Sequence, residues 1–481
     1  MRVIAVVGSG GKTTRIHLLT RHFLREKKKV LVTTTTHMMA EDGCDLSGNV
    51  ENIQKKMKDS GYCMAGLPCE DGKMGPLPEK VYEEACELAD VVLVEADGSK
   101  RLPVKYPAPQ EPVIPKNATE IHVVTGLSAL GKPLKEVCHR TELAIQCLKA
   151  QEDTVLLPIH VQTLLRKGYL EPLKEKYPET EIRICPAQIG TLYERVVKEF
   201  LREDVDVSIL DPRWFRTREK LVILGAGHVG SKTAHLGRFL DFEVTVIDDR
   251  REFANREIVP DADFIHCTEF DTVEKCFPEE ENTYYVVVTR GHAADKICVE
   301  KILNHGKYAY VGMIGSKLKV QKTLEDLRKE DFSEEEISKI HAPIGLKIGG
   351  RTPEEIALSI AAELVQVKNQ ATVSSLSHKL LHTKEEGVLC IITDKTGSSP
   401  RGKGSMMLVT KEGILGSIGG GALEKTVICE AKKVRQITTK SYSLSNEESA
   451  KLGMICGGTN EILFVPLYQH CGLAKSMLVS T

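Results

Sequence analysis

The sequence has little that would direct it to a membrane, a nucleic acid or an oxidising compartment. No apolar run approaches the ~20 residues that a membrane-spanning helix requires. The 65 Lys and Arg are balanced by 67 Asp and Glu, giving a formal net charge of −2, which disfavours partners recognised by their negative charge. The 14 cysteines are scattered without a Cys-x-x-Cys pair, as expected of reduced thiols rather than a disulfide framework. We therefore expect a cytoplasmic protein with no nucleic-acid or membrane partner.

What is present is ordinary globular composition spread over a long chain. Hydrophobic residues make up 41% and charged residues 27% of the 481 residues, so the chain is expected to fold rather than to remain disordered. A single hydrophobic core stops growing near roughly 250 to 300 residues. Several domains are therefore predicted, and their sites must be sought separately.

Short β-branched segments alternate with helical patterns along most of the chain, which predicts the α/β class with mostly parallel sheets. The first unit is expected at 1–205, with TVLLPI at 154–159 among its strands. A stretch with an Asp-Pro pair and the single tryptophan, typical of an interdomain linker, separates it from a Rossmann-like, doubly wound unit at 219–372. A polar connector then leads to 385–481, where glycine-rich turns separate short strands and predict a small α+β domain.

A glycine loop follows the first predicted strand and precedes an amphipathic stretch. Strand, glycine loop and helix are the context that a phosphate-binding P-loop requires, because backbone N–H groups and the helix N-terminus favour phosphate oxygens. ATP or GTP with Mg²⁺ is the expected ligand, with the lysine reaching the β- and γ-phosphates and the first threonine holding the metal. The predicted nucleotide-binding residues are Gly8, Gly11, Lys12, Thr13 and Thr14.

One departure from the P-loop pattern and two carboxylates qualify this interpretation. Val6 stands where the strict G-x-x-x-x-G-K-[ST] pattern has its first glycine, so a glycine-rich turn without a ligand is the alternative. Glu95 and Asp97 end the third predicted strand, and polar residues at the carboxyl ends of parallel strands face the ligand crevice. Either carboxylate is predicted to order Mg²⁺ or its water, unless this turn is only solvated.

A second glycine motif opens the second unit. Gly225, Gly227 and Gly230 form G-x-G-x-x-G directly after the strand LVIL, and Asp248 ends the next predicted strand. Together they make the dinucleotide fingerprint, in which the glycines admit a pyrophosphate and the acid accepts a hydrogen bond from a ribose hydroxyl. NAD is a possible ligand and NADP is disfavoured, since an acid at this position disfavours the 2′-phosphate. The alternative is a domain that keeps its glycines for packing and binds no nucleotide.

The third unit carries further candidate cofactor residues. Three successive glycines before a predicted helix would let the chain approach a flat or anionic ligand closely. The hydroxyls and the arginine of GSSPRG suit a phosphate or a pterin edge, whereas tight turns with a surface arginine are the alternative. Cys456 lies in the run MICGG, where glycines leave a thiol accessible, although burial as an inert residue is the commoner fate. The predicted cofactor-binding residues are Ser399, Arg401, Gly419, Gly420, Gly421 and Glu424.

These runs resemble known families. VVGSGGKTT, TTTTHM and VEADGSKRLPVKYPAPQEPVIP resemble the YqeC family, found with selenium-dependent molybdenum hydroxylase systems. LVILGAGHVG, FEVTVIDDRREFAN and HAPIGLKIGGRTPEEIALSIAAE are similar to the Rossmann-type domain of the XdhC/CoxI family. GSSPRGKGSMMLV, GSIGGGALE and LGMICGGTNEILFVPL are similar to the other domain of that family. In the family's usual order the small domain comes first, whereas here it comes last.

The resemblance implies an accessory protein for maturation of the molybdenum cofactor. Such a protein binds molybdopterin or its dinucleotide form, holds it while sulfur or selenium is installed, and delivers it to an apo molybdenum hydroxylase of the xanthine dehydrogenase type. A cysteine desulfurase or a selenium donor is the implied second partner, and a homodimer is compatible with the resemblance. Cys456 would ligate molybdenum or carry the chalcogen. Hydrolysis of ATP or GTP at the P-loop would be an enzymatic activity; otherwise the chain acts as a cofactor chaperone.

Two functions of other classes remain open at this point. An NAD-dependent oxidoreductase would need a catalytic base near the nicotinamide, and no residue of the second unit stands out for that role. An ATP-dependent ligase or nucleotidyl-transfer enzyme centred on Lys12 would need an acceptor site, which the sequence does not reveal.

Overall fold

A computed structural model describes residues 1–215, 219–371, 378–381, 383–397, 401–444 and 458–468. It contains two six-stranded parallel sheets and one five-stranded antiparallel sheet, together with a two-stranded and a three-stranded ribbon. The predicted α/β class, with a small α+β unit near the end of the chain, is confirmed. In the ranges that the structure covers, none of the helices combines the length and apolarity needed to cross a bilayer.

The first sheet is built around the strand that precedes the first glycine loop. Its parallel strands lie, from edge to edge, in the order Glu181–Ala187, Glu120–Gly126, Arg2–Gly8, Val91–Glu95, Val30–Thr34 and Tyr62–Met64. The α-helices of this unit are Lys12–Arg25, Val50–Ser60, Glu79–Glu87, Leu134–Val137, Thr141–Leu148, Pro158–Leu165, Glu171–Lys176 and Leu192–Arg202. Val3 to Val7 are fully buried, because helices cover both faces of a parallel sheet.

One strand predicted for this unit is wrong. In the run TVLLPI, Val155 makes only an isolated bridge to Pro133, and Pro158–Leu165 is a helix. Proline lacks an N–H group and has a fixed φ, which suits the first position of a helix and not a central strand. The edge strand is instead Glu181–Ala187, whose polar and apolar residues gave no strong signal in the sequence.

The second sheet has the Rossmann strand order. Its parallel strands lie in the order Phe264–Cys267, Glu243–Asp248, Lys220–Leu224, Thr283–Val287, Tyr310–Met313 and Ile340–His341, which is the 3-2-1-4-5-6 arrangement of dinucleotide-binding folds. Its α-helices are His228–Phe239, His292–His305, Lys317–Lys329, Glu334–Ser338 and Pro353–Ala371. The last helix begins with a capping box, since Thr352 N donates to Glu355 Oε2 and Glu355 N donates to Thr352 Oγ1.

The third sheet is antiparallel. Its strands lie in the order Ile414–Gly416, Met406–Thr410, Gly387–Gly397, Gly458–Leu467 and Thr438–Leu444. The helix Gly421–Ala431 covers one face, where Leu423 and Val427 pack with Ile462 and Phe464. A short helix, His378–Leu381, precedes the first strand.

The opposite face of the third sheet packs on the first unit. Leu463 and Val465 of the sheet belong to one hydrophobic core with Phe200 of helix Leu192–Arg202. The guanidinium group of Arg195, on that helix, donates to the main-chain oxygens of residues 383 and 385, both at 2.7 Å. The first and third units therefore share a core although the second unit separates them in the chain.

The stretch predicted as a linker takes part in this shared core. Trp214 is only 2% exposed and belongs to the same cluster as Phe200, so the residues up to 215 are packed onto the first unit. The two core clusters of the Rossmann sheet, by contrast, consist of residues between 221 and 367. The Rossmann unit therefore has a core of its own.

Candidate functional site

The first glycine loop connects strand Arg2–Gly8 to helix Lys12–Arg25. Gly8, Gly10 and Gly11 have positive φ angles of 89°, 72° and 143°, which side chains disfavour. A Cβ atom at Gly8 or Gly10 would also collide with neighbouring backbone. The loop therefore requires its glycines, and Thr13 and Thr14 stand exposed on the first turn of the helix.

Lys12 is the first residue of the helix that follows this loop, and it is only 5% exposed. Its Nζ donates to Gly8 O and to Ser99 Oγ, both at 3.0 Å, and lies 3.7 Å from Glu95 Oε1. Burial lowers the pKa of the Lys12 ammonium, while the nearby carboxylates of Glu95 and Asp97 oppose that shift. The cation thus has two neutral acceptors and one carboxylate beyond hydrogen-bonding distance.

The two candidate carboxylates differ in their surroundings. Glu95 Oε2 is buried without a hydrogen-bond partner in the described part of the chain, and burial raises the pKa of this group. Asp97 is fully buried and has both oxygens engaged: Oδ2 accepts from Gly8 N at 3.1 Å and from the Tyr169 hydroxyl at 2.8 Å, and Oδ1 accepts from Lys105 Nζ. Asp97 therefore fixes the entry to the loop, whereas Glu95 keeps an oxygen available.

A network of charged side chains extends from Asp97. Lys105 Nζ lies 2.7 Å from Glu111 Oε2, and Arg140 donates to Glu111 Oε1 at 2.7 Å. Burial acts to raise the pKa of Glu111, but the hydrogen bonds from Arg140 and Lys105 prevail and lower it to about 2. Lys105 lies in a run that resembles YqeC, whereas Tyr169 and Arg140 come from distant segments that no sequence motif marks.

The second glycine loop connects strand Lys220–Leu224 to helix His228–Phe239. Gly225 has a φ of 111°, and a Cβ atom at Gly230 would collide with the main-chain oxygen of Gly225. Gly227, between them, would have no atom within 4 Å of an added Cβ. Two of the three glycines are therefore required for packing, and the middle one faces open space where a ligand has room to approach.

Asp248 ends strand Glu243–Asp248 as predicted, and it is 1% exposed. Its Oδ2 accepts from Ala226 N at 2.8 Å, and Arg250 donates to both carboxylate oxygens at 2.9 and 3.0 Å. The guanidinium of Arg250 also lies 3.8 Å from the centre of the Phe253 ring. A ribose hydroxyl would therefore compete with an arginine for this carboxylate, a contact that the sequence spacing did not reveal.

Another polar cluster of the Rossmann unit also escaped the sequence analysis. Asp295, fully buried in helix His292–His305, accepts from Thr289 N at 3.1 Å and is ion-paired with Lys319. It joins the carboxyl end of one strand to the starts of two helices. The run VVVTRGHAADK that contains Asp295 also resembles the XdhC/CoxI family, but the resemblance gave this acid no role.

The triple glycine of the third unit is held by its own helix. Gly419, Gly420 and Gly421 have φ angles of 124°, 74° and 67°. Glu424 Oε2 accepts from Ser417 Oγ at 2.7 Å and from the N–H groups of residues 418 and 420 at 3.1 Å. The carboxylate of Glu424 thus caps this loop from within.

The structure describes only some of the remaining candidate residues of the third unit. Arg401 is exposed, whereas Ser399 and Cys456 lie outside the described residues. The described candidate residues of the first, second and third units lie beside three different sheets. Among the residues that the structure covers, no group of three or more His, Cys, Asp or Glu side chains is arranged to hold a metal ion.

Three segments of the chain match protein-family models. Residues 4–142 match the YqeC protein, residues 221–364 the XdhC Rossmann domain, and residues 380–442 the XdhC and CoxI family. These matches confirm the resemblance inferred from the motifs. They also confirm the order in which the Rossmann segment precedes the other XdhC and CoxI segment.

Three curated relatives are similar to parts of the chain. "Uncharacterized protein YqeB" of Escherichia coli is 35% identical over 155 residues, which is 32% of this chain and 28% of that protein. "Uncharacterized protein YqeC" of Escherichia coli is 35% identical over 29% of this chain and 57% of that protein. A probable xanthine dehydrogenase subunit of Bacillus subtilis is 26% identical over 32% of this chain and 45% of that protein. The chain thus spans between 28% and 57% of these relatives.

Two solved structures are also similar to parts of the chain. A xanthine dehydrogenase from Bacillus halodurans is 25% identical, with a TM-score of 0.30 over 34% of this chain and 46% of that one. The ADP complex of N5-carboxyaminoimidazole ribonucleotide synthetase is 14% identical, with a TM-score of 0.17 over 52% of this chain and 47% of that one. Both scores are too low to support an argument about fold or activity.

Proposed function

We propose that this chain is an accessory protein of a molybdenum hydroxylase of the xanthine dehydrogenase type, and that it carries the molybdenum cofactor. One observation carries the proposal: segments similar to both parts of the XdhC and CoxI family occur on a single chain, at 221–364 and 380–442. The name of the Bacillus subtilis relative points to the same system. The proposed cargo is molybdopterin or its dinucleotide form, and the proposed recipient is the apo-hydroxylase.

The finer part of the proposal concerns the chalcogen. The YqeC-like segment at 4–142 motivates selenium, because that family is found with selenium-dependent hydroxylase systems. A selenium donor or a cysteine desulfurase would supply the atom that is installed on the bound cofactor. Cys456 is the proposed carrier of that atom or a ligand of molybdenum, since a thiolate binds soft metals and chalcogens.

The first glycine loop is proposed to bind ATP or GTP with Mg²⁺. Lys12 now donates to two neutral acceptors, and phosphate oxygens would accept more strongly because they are charged. Glu95 has a buried oxygen that lacks a partner in the described residues, which suits a metal-bound water. Thr13 is exposed on the first helical turn, where a hydroxyl is available to the metal. Asp97 is less suited, because its oxygens already bind the loop and Lys105.

The shared core offers a route by which this nucleotide would influence the third unit. A Cβ atom at Gly11 would lie 2.9 Å from Ala187 Cβ, so the loop touches the end of strand Glu181–Ala187. Helix Leu192–Arg202 follows that strand and packs on the third sheet. A change in the loop on nucleotide binding would therefore act on the surface that supports the XdhC-like small unit.

An NAD-dependent oxidoreductase is supported less well. Asp248, which would hold the ribose, already binds Ala226 and Arg250, and release of that arginine on nucleotide binding would have a cost. A ligase or nucleotidyl-transfer enzyme remains compatible with the first loop alone. It gives no reason for the two XdhC-like segments on the same chain.

Activation of the hydroxylase in cells tests the proposal. A strain that lacks this protein is complemented with the wild-type chain, with Cys456→Ser or with Cys429→Ser, and hydroxylase activity is measured with molybdate and selenite supplied. We expect full activation by wild type, a large loss with Cys456→Ser, and nearly full activity with the control, whose exposed thiol lies on helix Gly421–Ala431. Full hydroxylase activity without the protein would contradict the accessory function. Wild-type activation by Cys456→Ser would contradict only the role of the thiol.

A further inference from the structure

Asn460, in the third unit, has a buried carboxamide that makes no hydrogen bond within the described ranges of the chain. The residue is 0% exposed, and neither Oδ1 nor Nδ2 has a partner in the described part of the chain. Buried polar side chains of native proteins almost always have a protein or water partner, because desolvation without compensation is strongly unfavourable. A carboxamide with both its donor and its acceptor unused is therefore a sign of a partner that the described residues do not provide.

The position of Asn460 in its strand gives the direction of this carboxamide. Side chains alternate between the two faces along strand Gly458–Leu467. Leu463 and Val465 face the core shared with the first unit, whereas Ile462 and Phe464 face helix Gly421–Ala431. Asn460 is two residues before Ile462, so its side chain lies on the helix-covered face.

The glycine loop of the same helix lies at the same end of the sheet. Asn460 pairs with Lys395 close to the end of strand Gly387–Gly397. Ser417 N donates to Met406 O at 3.1 Å, where the neighbouring strand begins at that same end. Ile418 packs in one cluster with Ile462. The fold thus places the carboxamide of Asn460 and the start of an 11-residue helix towards the same end of the small sheet.

The two features suit two parts of one ligand, a phosphate and a polar ring edge. The N–H groups in the first turn of a helix have no partner within the helix and favour a phosphate. Glu424 takes the N–H groups of residues 418 and 420, which come before the helix and not from its first turn. A carboxamide offers one acceptor and two donors side by side, which match a ring edge that carries a neighbouring donor and acceptor.

We propose that Asn460 is a binding residue for a ligand with an aminopyrimidinone ring, the ring edge that a pterin and a guanine base share, and that the start of helix Gly421–Ala431 takes the phosphate of this ligand. The inference rests on the proposed function in that a pterin cofactor is the expected cargo. A guanine nucleotide has the same ring edge, and the experiment separates the two sources. A single bound water is the other way to satisfy the carboxamide.

The test uses the full chain and the substitution Asn460→Leu, which keeps the approximate size and removes both polar groups. Purified wild type and variant are titrated with neopterin monophosphate, with GMP and with AMP, whose adenine lacks the matching edge. Pterin retained during purification is measured by fluorescence after oxidation. We expect wild type to bind neopterin monophosphate but not AMP, and Asn460→Leu to lose about tenfold or more in affinity and most of the retained pterin.

Two controls separate binding from stability. Asn460→Leu should not lower the Tm of the ligand-free chain, because an apolar side chain of the same size loses no hydrogen bond there. Tyr285, in the Rossmann sheet, has a buried hydroxyl that also lacks a partner in the described residues. Tyr285→Phe removes this hydroxyl and should leave affinity for the probes unchanged. If Asn460→Leu fails to fold, Asn460→Ser, which is smaller and polar, takes its place with the same expected loss of affinity.

The outcomes distinguish this inference from the proposed function. Equal pterin retention and equal affinity in wild type and Asn460→Leu would overturn the role of Asn460 and leave the cargo intact. A lower Tm with unchanged affinity would also overturn it, because Asn460 would then bind a structural water. Binding of GMP that depends on Asn460, with no pterin bound, would support the ring-edge assignment and overturn the proposed cargo. Failure of wild type to bind either probe would overturn the inference, while hydroxylase activation would still judge the proposed function.

Discussion

The two glycine loops of this chain begin from similar sequence contexts and end in different states. In the first loop, the buried cation Lys12 donates to two neutral acceptors and lies 3.7 Å from Glu95 Oε1, while Glu95 Oε2 has no partner in the described residues. In the second loop, Asp248 is satisfied by Ala226 and Arg250. The comparison teaches that a glycine motif indicates the path of the backbone, whereas the proposal of a ligand depends on how the nearby charged groups are paired.

The strongest way to test this difference is to remove the cation of the first loop. Lys12→Ala should abolish binding of Mg²⁺-ATP and Mg²⁺-GTP, a loss of about 100-fold or more, because the phosphates would be held by backbone N–H groups alone. Isothermal titration calorimetry measures it, and Lys28→Ala, an exposed lysine after the same helix, is the matched control. Unchanged affinity in folded Lys12→Ala would remove the first half of the comparison.

The second largest effect is expected on stability and concerns the residue that fixes the first loop. Asp97→Ala leaves Lys105 buried without this counter-charge and removes the acceptor of Gly8 N and of Tyr169. Lys105 keeps Glu111 as a counter-charge, so we expect the free energy of unfolding to fall by about 2 to 3 kcal/mol, the range for buried groups that lose their hydrogen-bond partner, measured by urea denaturation. Asp153→Ala, which breaks an exposed ion pair with Lys135, should leave the free energy of unfolding almost unchanged, because solvent screens such a pair. Equal small losses would mean that Asp97 is not a structural anchor.

The second loop gives a smaller expected effect. Asp248→Ala should weaken a ribose-containing ligand of the Rossmann unit by ~1 to 3 kcal/mol, the range for hydrogen bonds to a charged group. Calorimetry with NAD and with molybdopterin dinucleotides measures it, and Arg250→Ala shows whether release of the carboxylate improves binding. If neither ligand binds wild type or Arg250→Ala, the glycines of this loop act in packing alone.

The smallest effect is a pH dependence that arises beside the first loop. The pKa of Glu111 is lowered from its ordinary value of 4.5 to about 2 by Arg140 and Lys105. A carboxylate with a lowered pKa stabilises the folded chain above pH 4.5, and this contribution is lost as the pH falls towards 2. Glu111→Gln should therefore reduce the loss of stability between these pH values, measured by thermal unfolding. An identical pH profile for wild type and variant would contradict the network.

Local signals in the sequence account for the parts of the fold that depend on neighbouring residues. The strand and the glycines before Lys12 are a short-range pattern, and they fold as predicted. At Pro158 the constraint of the proline backbone places a helix where a strand was expected. The shared core around Trp214 joins segments that are distant in the chain, and no local pattern encodes such contacts.

The candidate sites divide in the same way. The positions of Lys12 and Asp248 follow from spacing, but their partners do not. Tyr169 donates to Asp97 from a helical segment far along the chain. Arg250 can bind the carboxylate of Asp248 because the backbone turns directly after the strand, where Arg250 N also donates to Asp248 Oδ1. Asn460 lies in the run LGMICGGTNEILFVPL, but the resemblance gives it no role, and only burial in the folded sheet distinguishes it from a surface asparagine.

The central claim is that this chain carries a molybdenum cofactor, and its metal and pterin content tests that claim most directly. The full chain is purified from a host grown with molybdate and selenite, and molybdenum, selenium and released pterin are measured per mole of protein. The account predicts molybdenum and pterin in equal molar amounts, together with selenium, at a substantial fraction of the protein. Protein that activates the hydroxylase yet retains neither molybdenum nor pterin when purified under anaerobic conditions would contradict it.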